Sequence, residues 1–321
     1  MTLFDEFVDD AREEWELARE AGAPGDRIHA GRDHSHAKQL GRSVTPRKSC
    51  LIPVWRDRSI LLAAHREYRR HRNPMETTMK DLSAKTVLIT GANRGIGRAL
   101  AREYAAAGAH VLAVARHPAN DPSGGSVEWI AADLSGPEGW ARVIEAVARS
   151  GRPLDILVNN AGIQQAIDLE ATPAGAFREK AQAEIAINLA APLCLAHGLI
   201  PHMRRPGGAI VNITSILSRH PKASAPVYCA TKAGLASFTD AMRLQLAPHG
   251  IHVAEAIPPM VATDMTAGRG GGSKLSPEAM ARAIVEGVAR GSRRIAPGLS
   301  RAFLMIERLA PEIAAAMMAK S

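Results

Sequence analysis

Thr90-Gly91-Ala92-Asn93-Arg94-Gly95-Ile96-Gly97 joins a short apolar run, Thr86–Thr90, to a helical run, Ile96–Ala107. Glycines at Gly91, Gly95 and Gly97 let the backbone turn tightly and come close to a ligand. The helix that follows offers unpaired amides and the positive end of its dipole to a phosphate. The spacing is Gly-x-x-x-Gly-x-Gly rather than Gly-x-Gly-x-x-Gly, so taken alone the motif is equally consistent with a plain structural turn. What surrounds it decides between the two.

Downstream, short apolar runs alternate with helical ones. His110–Arg116, Val127–Asp133, Ile156–Asn159, Ala209–Ser215 and His252–Ile257 read as buried strands, with Arg293–Gly298 as an edge strand. Helices are expected over Ile96–Ala107 (closed by Gly108), Pro137–Arg149, Pro173–Met203, Val227–Ala247 and Pro277–Ala289, and from Ser300 onward. This alternation predicts an α/β fold: a doubly wound parallel sheet of the Rossmann type, forming one domain over residues 79–321. Residues 1–78 are rich in Arg and His and lack sustained periodicity, so they read as a poorly structured extension. Met75 or Met79 would begin the globular unit cleanly.

The chain of 321 residues carries a formal charge of +8. Residues 1–78 hold 14 Lys/Arg against 13 Asp/Glu, which leaves the excess in the globular part. No block of like charge or stacking aromatics accompanies it, and only three Tyr and five Phe occur, so no nucleic-acid partner is expected. No apolar run approaches the ~20 residues needed to span a bilayer, and the acidic start lacks the pattern of an export leader. No membrane partner and a cytoplasmic location are the expectations. Cys50, Cys194 and Cys229 show neither metal nor redox spacing, and no metal is expected.

A second motif supplies chemistry. In Tyr228-Cys229-Ala230-Thr231-Lys232, positions four apart on a helix share a face, so a phenol and an ammonium can converge on one reacting centre. A free phenol has a pKa of about 10, and a nearby cation draws it toward the range useful for general acid–base work. Ser215 lies thirteen residues upstream.

Taken in order, Thr90–Gly97, Asp133-Leu134, Asn159-Asn160-Ala161-Gly162, Asn188, Ser215 and Tyr228-x-x-x-Lys232 resemble the short-chain dehydrogenase/reductases over roughly residues 80–321. Asn159–Gln164, Ile187-Asn188-Leu189, Pro226–Lys232 and Ile257-Pro258-Pro259-x-Val261-x-Thr263-Asp264 look like its DltE-like subgroup. The resemblance implies an oxidoreductase in which Tyr228 exchanges a proton with a carbonyl or alcohol substrate. Lys232 would acidify Tyr228 and hold the nicotinamide ribose, Ser215 would orient the substrate oxygen, and Asn188 would support a water-linked proton path. It also implies a cofactor held by Thr90, Gly91, Asn93, Arg94, Gly95, Ile96 and Gly97. Asp133 and Leu134 would lie near the adenine, Asn160, Ala161 and Gly162 along the adenosine, and Val261 and Thr263 beside the nicotinamide. Pro258-Pro259 replaces the family's usual Pro-Gly and stiffens that path. A homodimer or homotetramer, built through the helices bearing Asn188 and Tyr228, is implied as well.

Charge selects the cofactor. An acidic residue after the second strand would accept from a ribose 2′-hydroxyl, whereas this chain has Arg116, with Arg94 able to approach, and a guanidinium fits a 2′-phosphate. NADP(H) is expected. The Gly-rich segment Thr266–Ser276 sits where the family carries a mobile lid, and its Arg269 and Lys274 either draw an acidic substrate or are simply solvated. The alternative function is a catalytically silent NADP-binding sensor or partner-binding protein that binds a protein partner through residues 1–78. A sugar-nucleotide epimerase or dehydratase is disfavoured, since only about ninety residues follow Lys232.

Overall fold

The computed structural model of the chain describes residues 81–119, 127–268, 274–310 and 312. The expected extension over 1–78 lies outside the described residues, as do Arg269 and Gly270 to Gly272 of the lid segment.

Seven strands form one parallel sheet: β1 (Thr86–Thr90), β2 (His110–Ala115), β3 (Val127–Ala131), β4 (Ile156–Asn159), β5 (Ala209–Ile213), β6 (His252–Ala256) and β7 (Arg294–Ile295). Their order is β3-β2-β1-β4-β5-β6-β7. The chain therefore changes direction of winding between β1 and β4, and a crevice opens there beyond the carboxyl ends of the strands. Every residue of β1, β4 and β5 is buried, which is why these segments read as unbroken apolar runs rather than alternating ones.

Helices cover both faces. They are α1 (Gly95–Ala106), α2 (Pro137–Arg149), α3 (Ala174–Ile185), α4 (Ala191–Leu199), α5 (Pro226–Leu246), α6 (Pro277–Ala289) and α7 (Leu299–Leu309). Alternate strand residues point to opposite sides. Val87, Ile89 and Val111 pack with Leu100 and Tyr104 of α1 and Met280 and Ile284 of α6. Leu88, Leu112 and Leu157 pack with Val143 of α2, Leu195 of α4 and Met242 of α5. At the amino ends of the strands, Asp155 is fully buried, accepts from the Thr86 amide at 3.0 Å and is paired with Lys85 and Arg204.

One expectation is corrected. The helix foreseen over Pro173–Met203 is interrupted by a π-helical turn, Ala186–Ala190, centred on Asn188. The whole run Ala174–His202 is also long and apolar enough to cross a membrane by length and composition alone. In the structure α3 packs against α5, α4 packs against α2 and α5, and the run buries two polar side chains, Glu184 and Asn188.

Candidate active site

The turn after β1 has the geometry that its glycines demand. Gly91 and Gly95 have φ of +65° and +54°, a region favoured by residues without a Cβ. Gly97 has ordinary φ but no room, since a Cβ there would lie 2.2 Å from the Gly91 carbonyl oxygen. Asn160 fixes this turn from β4: its side-chain amide donates to the carbonyls of Thr90 and Gly91 at 2.8 and 3.2 Å. The Thr90 hydroxyl in turn accepts from the amides of Asn160 and Ala161 at 2.9 and 3.0 Å. Asn93 donates to the His117 carbonyl at 3.2 Å and ties the turn to the end of β2.

The reacting end is assembled from β5, α5 and the π turn. Pro226 occupies the first turn of α5, which leads directly into Tyr228 and, one turn on, Lys232. The Lys232 ammonium is 5.8 Å from the centre of the Tyr228 ring and donates to the Ile213 carbonyl at 2.8 Å. Lys232 is 3 % exposed, and this burial pushes its pKa down to about 8. Ser215 follows β5 and caps a 3-10 turn, its hydroxyl accepting from the Leu217 amide at 3.2 Å. Asn188 is fully buried; it accepts from the Ile163 amide and donates to the Ile163 carbonyl, both at 2.8 Å. Gly162 lets the backbone pass between: a Cβ there would be 3.3 Å from the Asn188 side-chain oxygen and 3.6 Å from the Lys232 ammonium.

Behind this centre, Glu255 of β6 is 1 % exposed and accepts from the Thr214 hydroxyl at 2.9 Å. Its other oxygen lies 3.3 Å from Arg219 and 3.4 Å from Arg294. Thr214 and Arg219 flank the turn that carries Ser215, so one buried carboxylate fastens it at both ends. One turn before Asn188, Glu184 is also buried and accepts from the Gln165 amide at 2.5 Å; burial raises its pKa.

A single cavity of about 960 Å³ runs from the glycine turn to Tyr228, near the upper end of the ~300–1,000 Å³ usual for ligand pockets. A family model described as short chain dehydrogenase matches residues 85–272. The chain belongs to that family. The oxidoreductase DltE of Bacillus subtilis is 38% identical over 192 residues, covering 57% of this chain and 74% of its own length. A short-chain dehydrogenase from Burkholderia cenocepacia, crystallised with NADP, superposes with a TM-score of 0.66 at 25% identity, over 74% of this chain and 98% of its own. One from Sphingobium yanoikuyae in complex with NADPH gives 0.61 at 29% identity, over 73% and 95%.

Of the residues singled out in the sequence, Gly91, Asn93, Arg94, Gly95, Ile96, Arg116, Asp133, Leu134, Asn160, Ala161, Gly162, Ser215, Tyr228, Lys232, Val261 and Thr263 all line this cavity. Thr90, Gly97 and Asn188 do not line it; they stand behind its wall and shape the backbone. Thr263 packs onto the glycine turn, its methyl 3.0 Å from where a Gly95 Cβ would stand. Arg94 pairs with Asp264 at 3.6 Å, both exposed. Asp133 accepts from the Ser135 amide, and that hydrogen bond, aided by the charges of Arg116 and His117, holds its carboxyl below the usual range. Lys274 donates to the Thr266 carbonyl and does not line the cavity. His117, Gln164, Gln165 and Lys222 line it unforeseen. His117, beside Arg116, and Gln164, at the end of the Asn159–Gln164 motif, had a signal in the sequence; the loop bearing Lys222 has no periodicity to read.

Proposed function

We propose that the protein is an NADP(H)-dependent oxidoreductase acting on a carbonyl or alcohol, with Tyr228 as general acid and base. The observation that carries this reading is the placement of Lys232 against the Tyr228 ring in the same cavity as the glycine turn. The turn suits a dinucleotide, because Gly91, Gly95 and Ile96 line the cavity where α1 begins, and a helix N-terminus favours a phosphate. The Gly91–Ile96 turn would hold the pyrophosphate, Arg116 with His117 the 2′-phosphate, and Lys232 the nicotinamide ribose. NADP(H) supplies or accepts the hydride when bound.

The chain's own residues manage the proton. Ser215 donates to the substrate oxygen and orients it, and Tyr228 gives its phenolic proton to that oxygen or takes one from it. The buried Lys232 charge, poorly screened, favours the phenolate left behind. Asn188, holding both backbone groups of Ile163, keeps the wall beside Gly162 in place for a proton path through water. Pairing of copies in a homodimer or homotetramer is assigned to α3, α4 and α5, where the large apolar side chains of Ile185 and Leu244 are exposed.

The test is NADPH consumption across a panel of aldehydes, ketones and quinones. Turnover is expected, falling at least about 100-fold in Tyr228→Phe with NADPH binding retained. Tight NADPH binding without turnover of any compound would make the protein a silent sensor instead.

A further inference from the structure

The lining around Tyr228 joins the apolar Ile163, Ile187, Leu217, Met260 and Met265 to polar but uncharged side chains such as Gln164, Gln165 and Ser224. The cavity's only acidic lining residues among those described are Asp133, which follows β3 at the far end, and Asp264, which is engaged by Arg94. Lys222 is the exception on this neutral wall. It lies six residues ahead of Tyr228, lines the cavity, is half-buried and forms no ion pair among the described residues.

Its loop is closed by one internal hydrogen bond and tied to two other segments. The Lys222 amide donates to the Cys229 sulfur at 3.3 Å, and its carbonyl accepts from the Ala225 amide at 3.1 Å. The Ser224 carbonyl accepts from the Ile167 amide at 3.2 Å, which joins this wall to the one after β4. An ammonium that lines the cavity without an ion pair among the described residues can give a charge-assisted hydrogen bond to an oxoanion arriving with the ligand.

We propose that Lys222 receives an oxoanion of the substrate, so that the preferred carbonyl compounds carry a carboxylate or phosphate on an apolar body. This rests on the reductase reading and names the substrate class of that site. Of the two lid cations offered as an alternative for drawing an acidic substrate, Lys274 donates to the Thr266 carbonyl, and Arg269 lies outside the described residues.

The test compares kcat/KM, with saturating NADPH, for a series of keto acids of increasing length, their methyl esters and the matching keto phosphates. Acids or phosphates should exceed the neutral esters at least about tenfold. In Lys222→Met that ratio should collapse toward unity, and in Lys222→Arg it should largely survive. A preference confined to one anion tells carboxylate from phosphate. An acid-to-ester ratio that is near unity in the wild type, or unchanged in Lys222→Met, overturns the inference and leaves the reductase reading standing. No turnover of any carbonyl overturns both.

Discussion

Lys232 brings an ammonium into a place that water scarcely reaches, and its pKa falls from 10.5 to about 8 because burial penalises the charged form. The sign of the consequence follows from proton counts. Between pH 8 and 10.5 the unfolded chain holds the proton that the folded chain has released, so folding stability from this group rises with pH across that window. Subtracting the denaturation free energies of Lys232→Met from those of the wild type, both without cofactor, should leave a component that is flat below pH 8. It should then climb by roughly 1–3 kcal/mol toward pH 10.5. A difference that stays level through the window would mean that the side chain is hydrated in solution. The residues around it were legible in the sequence as identities, because a Tyr and a Lys four apart on a helix share a face. How deeply the amine is buried was not, because that depends on β5 and the Gly162 segment closing over it.

At the scale of elements, α1, α2, α5 and α6 were readable to within a residue at each end, because apolar periodicity agrees with Pro at the first turn of α2, α5 and α6 and with Gly108 just after α1. The π turn at Ala186–Ala190 was not. Its local sequence is as helical as its neighbours, and the turn is accompanied by Asn188 reaching across to Ile163, a contact between segments far apart in the chain. Glu255 poses the same problem: within β6 it reads as a polar interruption of an apolar strand, and only the neighbouring strand and loop reveal its partners. Glu255→Ala should destabilise the protein by about 3 kcal/mol, since it leaves the largely buried Arg219 beside a hole, while the half-exposed Arg294 keeps Asp240. Glu255→Gln keeps an acceptor for Thr214 and should cost about half as much. Urea denaturation of the two variants checks the ordering, and equal losses would show that the Thr214 bond contributes nothing.

The whole molecule gathers its site by topology. Gly91, Arg116, Asp133, Asn160, Ser215 and Pro258 each follow the carboxyl end of a strand, β1 to β6 in turn, and all line one cavity. A ligand spanning that rim contacts many segments at once and should stabilise the fold as a unit. At 100 times its dissociation constant NADPH should add about 2.7 kcal/mol. NADH at the same concentration should add less, because Arg116 and His117 then face a ribose with no phosphate. Thermal melts with each nucleotide measure this, and an equal or larger shift with NADH would remove the phosphate role from Arg116.

The sequence by itself determined the order of strands and helices, the glycine turn and the identities of Ser215, Tyr228 and Lys232. Those are local matters: which residues are buried in short runs, which backbone positions need glycine, and which side chains fall four apart on a helix. The tertiary structure alone decided that Thr90, Gly97 and Asn188 shape the wall instead of forming it, that Glu255 anchors the Ser215 turn, and that Lys222 lines the cavity with no ion pair among the described residues. Each of these depends on what lies opposite a residue across the sheet or the cavity, and spacing along the chain carries no record of that.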